Sequence, residues 1–249
     1  MEAIFLVSFE TRQRSSVVEQ CPHKAWVVGP IPTAATPQKM NTNTEAIRIL
    51  CYGDSNTWGA SPREDVRYPA DIRWTSVLQK KLGNGYEVIE EGLNGRTTIL
   101  DDPQRDGRNG KTYLYPCLKS HCPLDLVILM LGTNDLKERF NLSAEEIAKN
   151  VENLILLIKE TSLEEQASLP KIVLISPALV NEHVDNPTEG FSGAEAKSRL
   201  LAKFYQAVAV KEGCEFVDIS QYIEPSNTDG LHFEKEAHAK IAEILSGML

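Results

Sequence analysis

The 249-residue chain lacks the marks of several protein classes. It has no cysteine framework: Cys21, Cys51, Cys117, Cys122 and Cys214 are odd in number and scattered, with no C-x-x-C. That argues against a disulfide scaffold and a structural zinc site, and free thiols fit a reducing, cytoplasmic compartment. Positive charge is in short supply, with 26 Lys+Arg against 35 Asp+Glu and a formal net charge of -9. Nucleic acid and anionic membrane surfaces call for a basic face, so neither is an expected partner. No apolar run reaches the roughly 18 residues of a membrane span. Nucleotide fingerprints are missing as well: there is no G-x-x-x-x-G-K-[ST], and no G-x-G-x-x-G after the first strand. H-E-x-x-H is absent, and His23, His121, His183, His232 and His238 show no metal-ligand spacing. What remains is an ordinary globular composition, 42% hydrophobic and 24% charged, long enough to bury a sizeable core.

Residues 1–43 read differently from the rest. Four of the 13 prolines fall between Pro22 and Pro37, and no helical or strand period persists. A secretory signal needs a basic n-region, but Glu2 precedes the apolar Ala3–Phe9. The segment is expected to be a disordered or spurious extension without chemistry, with Met40 as an alternative start. Residues 44–249 are expected to form the domain.

That domain alternates strand and helix. Ile47–Tyr52, Tyr86–Glu91, Leu124–Leu131, Lys171–Ser176 and Cys214–Ile219 are short runs rich in apolar residues, as buried strands require. Arg73–Leu82 carries Trp74, Val77, Leu78 and Leu82 at helical spacing. Ser143-Ala144-Glu145-Glu146 fits a capping box ahead of Ile147, Val151, Leu154, Ile155 and Ile158. Ala194–Lys211 is expected to be a helix with Leu200, Leu201, Phe204 and Val208 inward, and Glu234–Leu249 a terminal helix. A loop is expected between the second and third strands, and another over Asn181–Gly193. The order implies right-handed crossovers and a parallel sheet covered on both faces, with ligands bound beyond the carboxyl ends of the strands.

Several chemistry-bearing residues fall at those strand ends. Ser55 lies one turn beyond the first strand. A serine nucleophile needs a base, and the base an orienter. Asp229-Gly230-Leu231-His232 supplies both after the last strand. The three-residue separation lets the Asp229 carboxylate reach Nδ1 of His232 and leaves Nε2 free for Ser55. Acyl transfer also needs donors where an oxyanion develops. Gly95, Asn134 and the Ser55 N–H could provide them. Gly190-Phe191-Ser192-Gly193-Ala194 nearly matches G-x-S-x-G, but its last position fails and no strand precedes it, so Ser192 is expected only to begin a helix. Each turn alone is ordinary turn chemistry; their combination on successive strand ends is what points to catalysis.

The blocks Gly53-Asp54-Ser55, Gly92-Leu93-Asn94-Gly95, Gly132-Thr133-Asn134-Asp135 and Asp229-Gly230-Leu231-His232 resemble the GDSL, or SGNH, hydrolase superfamily, over about residues 46–249. The family's Gly-Asp-Ser-Leu reads Gly-Asp-Ser-Asn here. The stretches Asp71–Thr75, Glu90–Leu93 with Arg96–Thr98, and Asp101–Pro103 look closer to bacterial arylesterases of that superfamily, some of which also transfer acyl groups to alcohols. The resemblance implies a flavodoxin-like three-layer α/β/α sandwich around a parallel sheet of about five strands. It implies Ser55 as nucleophile, His232 as base and acid, Asp229 as orienter, and Ser55, Gly95 and Asn134 as oxyanion hole. Asp54 braces the turn on this reading, and Trp58 and Asp54 are expected to line the pocket, with Tyr68, Trp74 and the Asn181–Gly193 loop as weaker candidates. No metal or organic cofactor is implied. The expected activity is a serine esterase on small, uncharged acyl esters. A carbohydrate O-deacetylase, a thioesterase or a lysophospholipase are alternatives within the superfamily, and a flavodoxin-like anion-binding module the alternative outside it. A small-molecule ester is the expected partner; a homo-oligomer stays open. Limited proteolysis is expected to trim roughly the first forty residues, and their survival as a protected fragment would reject the extension.

Overall fold

The computed structural model describes residues 41–62 and 66–249. The expectation for residues 1–40 lies outside the described residues. Asn41 and Asn43 are tied to the domain: their side-chain amides donate to the Asn84 carbonyl at 3.3 and 3.0 Å, and Asn41 also donates to that of Tyr86 at 2.9 Å.

Five parallel strands form one sheet in the order β2-β1-β3-β4-β5, with β1 Ile47–Gly53, β2 Tyr86–Gly92, β3 Leu126–Met130, β4 Lys171–Ser176 and β5 Glu215–Asp218. The sequence anticipated each strand to within two residues at either end. Alternate side chains of β1, β3 and β4 feed two separate cores, as the two-residue period of a strand dictates. Leu50, Tyr52, Val127, Leu129, Ile172 and Leu174 face one way; Ile49, Cys51, Ile128, Met130, Val173 and Ile175 face the other. The first face is covered by α3 (Gly110–His121), α4 (Ala144–Glu165) and α5 (Ala194–Glu212). The second is covered by α2 (Trp74–Leu82) and α6 (Lys235–Ser246). This is the expected three-layer α/β/α sandwich with the flavodoxin strand order. Among the described residues no helix is long and apolar enough to cross a membrane.

Two expectations need correction. The segment between β2 and β3 contains α3 rather than only loop. Its Gly110 start and internal Pro116 hid it, since both weaken helix propensity and proline removes an interior donor. The Asn109 side chain, accepting from the Thr112 N–H at 3.2 Å, caps it. Leu200 also faces outward, half exposed, and Tyr205 takes an inward place in α5. At about 100° per residue, the stripe Ala194, Ser198, Leu201, Tyr205, Val208 leaves Leu200 to one side. The expected capping box on α4 is present, with Ser143 and Glu146 bonded reciprocally.

The topology positions the site. From β1 the chain steps outward to β2, then returns past β1 to β3. The sheet therefore changes direction between β1 and β3, which opens a crevice at their carboxyl ends. Ser55 follows β1 and Asn134 follows β3. If α5 and α4 are read correctly, Ile155→Ala, fully buried on α4, should cost about 2–5 kcal/mol in urea unfolding, and Leu200→Ala no more than about 0.5.

Candidate active site

The first turn after β1 is a single helical turn, α1 (Ser55–Trp58), capped by Asp54, whose Oδ1 accepts from the Asn56 N–H at 3.0 Å. Ser55 is its first residue, so the Ser55 N–H has no acceptor within the helix. On the far side of the crevice, the Asp229–His232 turn folds back on itself. Asp229 Oδ1 accepts from the backbone N–H groups of Leu231 and His232, both at 3.0 Å. With the ring proton on Nδ1, His232 donates to Asp229 Oδ2 at 2.6 Å. Nε2 is then left to accept from Ser55 Oγ at 3.0 Å. Burial works against the Asp229 charge, but the His232 hydrogen bond and charge and the two N–H groups outweigh it, holding the carboxyl below the usual range. Asp229 thus stays ionised beside the imidazole. Gly230 makes the turn feasible: its φ is +72°, and a Cβ there would lie 1.9 Å from the Asn181 carbonyl oxygen.

Ser55, Gly95, Asn134 and His232 line one cavity of about 280 Å³ with Asn94, Arg105, Lys137, Arg139, Thr188, Glu189 and Phe191 among its other walls. Gly95 has φ +78°, and a Cβ there would meet the Arg105 guanidinium at 2.8 Å. Asn134 opens a 3-10 turn, Asn134–Leu136, and spends one N–H on the Arg96 carbonyl at 3.1 Å. Its second amide hydrogen remains to serve the cleft. Together these groups offer a hydroxyl, an oriented imidazole and convergent N–H donors, the parts acyl transfer needs.

Two residues that motif reading did not weigh hold these parts together. Arg96 is buried, donates to the carbonyls of Gly53 (2.9 Å) and Glu91, and stacks over Tyr52 with its guanidinium carbon 4.2 Å from the ring centroid. It joins the end of β1, just before Ser55, to the loop that carries Gly95. Asp135 is fully buried and accepts from the Thr98 N–H at 3.0 Å and from its hydroxyl. It thereby joins that loop to the Asn134 turn. Burial is the main cause that pushes the Asp135 carboxyl up to about 7, with the Asp54 charge adding to it against the Thr98 bonds. Only the side-chain contacts, invisible in sequence, reveal these two roles.

Other anticipated residues sit elsewhere. Trp58 and Asp54 do not line this cavity. Asp54 is buried in its cap, and the Trp58 ring lies under the Arg67 guanidinium, 5.3 Å from it. Trp74 is fully buried in the core, and Tyr68 packs edge-on to His238 at 5.4 Å. The Asn181–Gly193 loop does reach the cleft, through Thr188, Glu189 and Phe191. Its backbone also grips the Asp229–His232 turn: the Asn181 N–H donates to the Gly230 carbonyl at 2.9 Å and the Thr188 N–H to that of Asp229 at 3.0 Å. Ser192 is exposed two residues before α5 and lines a neighbouring cavity. Away from the cleft, Glu91, Cys117 and His121 bring potential metal ligands within 4.8 Å of one another, a grouping that sequence spacing did not suggest. His121 Nε2 lies 3.0 Å from Glu91 Oε1, while burial and the Glu91 charge push the Cys117 thiol up to about 12. Those contacts describe a histidine–carboxylate pair beside a neutral thiol.

Comparison with known proteins identifies the family. The sequence model of the GDSL-like lipase/acylhydrolase family matches residues 51–240. The chain belongs to this family. It is 38% identical to an aryl esterase of M. smegmatis, covering 82% of this chain and 98% of that one, with a TM-score of 0.76. It is 36% identical to a carbohydrate acetylesterase from Sinorhizobium meliloti, covering 81% and 97% respectively, again with a TM-score of 0.76. An acetylxylan esterase from Xylanibacter ruminicola is 26% identical over 225 residues, 82% of this chain; the chain spans 43% of that relative's length.

The raised Asp135 carboxyl has a defined sign. A folded-state pKa above the ordinary 3.8 favours the protonated group, so its contribution is full below about pH 4 and lost as pH rises through about 7. Asp135→Asn cannot ionise. Its urea midpoint should therefore gain on the wild type between about pH 4.5 and about pH 7.5; a difference that does not change with pH rejects the buried ionisation.

Proposed function

We propose that this chain is a serine esterase that hydrolyses small acyl esters through an acyl-enzyme on Ser55. The observation that carries the reading is the continuous relay from Ser55 Oγ through His232 to Asp229, at 3.0 and 2.6 Å. Ser55 Oγ attacks the ester carbonyl carbon while its proton passes to Nε2 of His232. The carbonyl oxygen becomes an oxyanion facing the N–H groups of Ser55 and Gly95 and the Asn134 amide. Collapse of this intermediate breaks the bond to the alcohol, which leaves with the proton from His232. Water then attacks the acyl group, gives its proton to His232, and the acid departs as Ser55 recovers its own. Asp229 keeps the imidazole in the required tautomer and stabilises the transient imidazolium.

The small cavity favours short acyl groups. Aryl esters and acetylated carbohydrate both belong to the reading, because the relatives described above include an aryl esterase, a carbohydrate acetylesterase and an acetylxylan esterase. The free Cys51, Cys117, Cys122 and Cys214 suit work in a reducing compartment.

Wild type should cleave p-nitrophenyl acetate well and p-nitrophenyl octanoate poorly, and Ser55→Ala should lose nearly all turnover. An active Ser55→Ala rejects the nucleophile. Asn134→Ala should raise the barrier by about 2.7–4 kcal/mol, seen as a loss in kcat, the usual effect of removing one oxyanion donor. Release of acetate from acetylated xylan but not from p-nitrophenyl acetate would favour the carbohydrate substrate.

A further inference from the structure

The protein carries a net charge of -9, yet the wall of its cleft is cationic. Arg105, Lys137 and Arg139 line the same cavity as Ser55 and His232. Arg139 is matched, with its guanidinium 2.6 Å from the buried Asp102 carboxylate. Lys137 is not. It is only 7% exposed, and its ammonium has no carboxylate or hydrogen-bond acceptor among the described residues. Its nearest aromatic support is the Phe191 ring, with the centroid 5.5 Å from Nζ. Arg105 sits at the exposed rim, against Gly95, and likewise has no ion-pair partner among the described residues. The one carboxylate from the loop side, Glu189, is solvent-exposed and pairs with neither.

A largely buried lysine whose ammonium opens only onto a cleft and has no ion-pair partner is costly, and proteins keep one where something else completes it. Burial and the Arg139 and Arg105 charges push Lys137 down to about 8, against the pull of Asp102 and, more weakly, Asp54. An anion placed between Lys137 and Arg105 would relieve both effects. A low-dielectric cleft lined mainly by one sign of charge, here three cations against Glu189, also concentrates ligands of the other sign. Two separate strand-end segments contribute these cations, Arg105 after β2 and Lys137 with Arg139 after β3, so no single turn or cap accounts for them.

We propose that the cleft contains an anion subsite built from Lys137, with Arg105 at its mouth, and that the substrate is an ester bearing a carboxylate near its scissile group. This rests on the esterase reading and narrows its substrate class from neutral to anionic esters. Lys137 acts by binding, not by exchanging a proton with the reacting ester. The carboxylate could belong to the alcohol arm, as in an acetylated sugar acid, or to the acyl arm, as in a dicarboxylic half-ester.

The test has two independent readouts. Calorimetry compares 4-hydroxybenzoate with phenol as ligands of the wild type, Lys137→Met and Arg105→Gln. The carboxylate compound should bind wild type more tightly than phenol, and Lys137→Met should weaken it about tenfold, the worth of one hydrogen bond to a charged group. Steady-state kinetics compares phenyl acetate with 4-acetoxybenzoate and with monophenyl succinate. The ratio of anionic to neutral kcat/KM should fall about tenfold in Lys137→Met and by a smaller factor in Arg105→Gln. A fall for 4-acetoxybenzoate assigns the carboxylate to the alcohol arm, and one for the succinate to the acyl arm. Wild type that binds 4-hydroxybenzoate no better than phenol overturns the proposal. So does a ratio unchanged in both variants, or an equal loss on neutral and anionic esters, which would make Lys137 a support of the oxyanion. If wild type cleaves no ester but binds 4-hydroxybenzoate through Lys137, the esterase reading falls and the anion subsite stands. Should Lys137→Met fail to fold, Arg105→Gln alone decides.

Discussion

The parallel pairing of β1 with β2 on one edge and β3 on the other is the constraint from which the site follows. Gly53, the last residue of β1, is in register with Gly92 and with Met130. Three strands therefore end at one level, and the loops beyond them have no choice but to meet. Those loops carry Ser55, Gly95 and Asn134. The fourth loop arrives from β5 at the other edge of the crevice and brings Asp229 and His232. Nothing in the chemistry of these side chains would gather them; the hydrogen-bonded ladder does so, with two apolar cores holding its faces.

The ladder alone leaves the loops loose, and buried charge fixes them. Arg96 and Asp135 are costly to bury, and each is spread over several partners instead of one opposing ion. Arg96 satisfies two carbonyls and two aromatic faces, those of Tyr52 and Tyr113. Asp135 takes both donors of Thr98. Such arrangements give weak net stability but strong geometric definition. The proposed oxyanion donors would need such definition, because they would act on a charge that exists only in passing.

How much of this was legible in the sequence varied with the physics of each part. β3 and β4 were plain because burial on both faces leaves an unbroken apolar run. α4 was plain because Ser143 and Glu146 announce its start. The meeting of Ser55, Asp229 and His232, and the placing of Gly95 and Asn134 on the same cleft, were legible because each lies in a short turn whose local sequence is restricted. α3 was obscured because tertiary packing of Leu114, Cys117 and Leu118 overrides the poor propensity of Gly110 and Pro116. Trp58 was misplaced because one helical turn decides which way it points, and spacing from Ser55 does not fix that. The cationic wall was invisible because Arg105, Lys137 and Arg139 stand among balancing acids along the chain, and only folding separates Lys137 from them.

The grip of the Asn181–Gly193 loop on the Asp229-Gly230 turn has a consequence for how such a protein can diversify. Thr188, Glu189 and Phe191 of the loop line the cleft, while its backbone buttresses the turn that holds Asp229 against His232. The cleft wall and the Asp229–His232 turn are therefore mechanically joined. A graft that changed the length between Asn181 and Thr188 would shift Asp229 and Gly230 along with the cleft wall. New specificities are easier to reach by exchanging the side chains of Thr188, Glu189 and Phe191 on an unaltered backbone than by importing a loop from a relative. The same link makes this loop the place where occupancy of the cleft would be felt first by the imidazole.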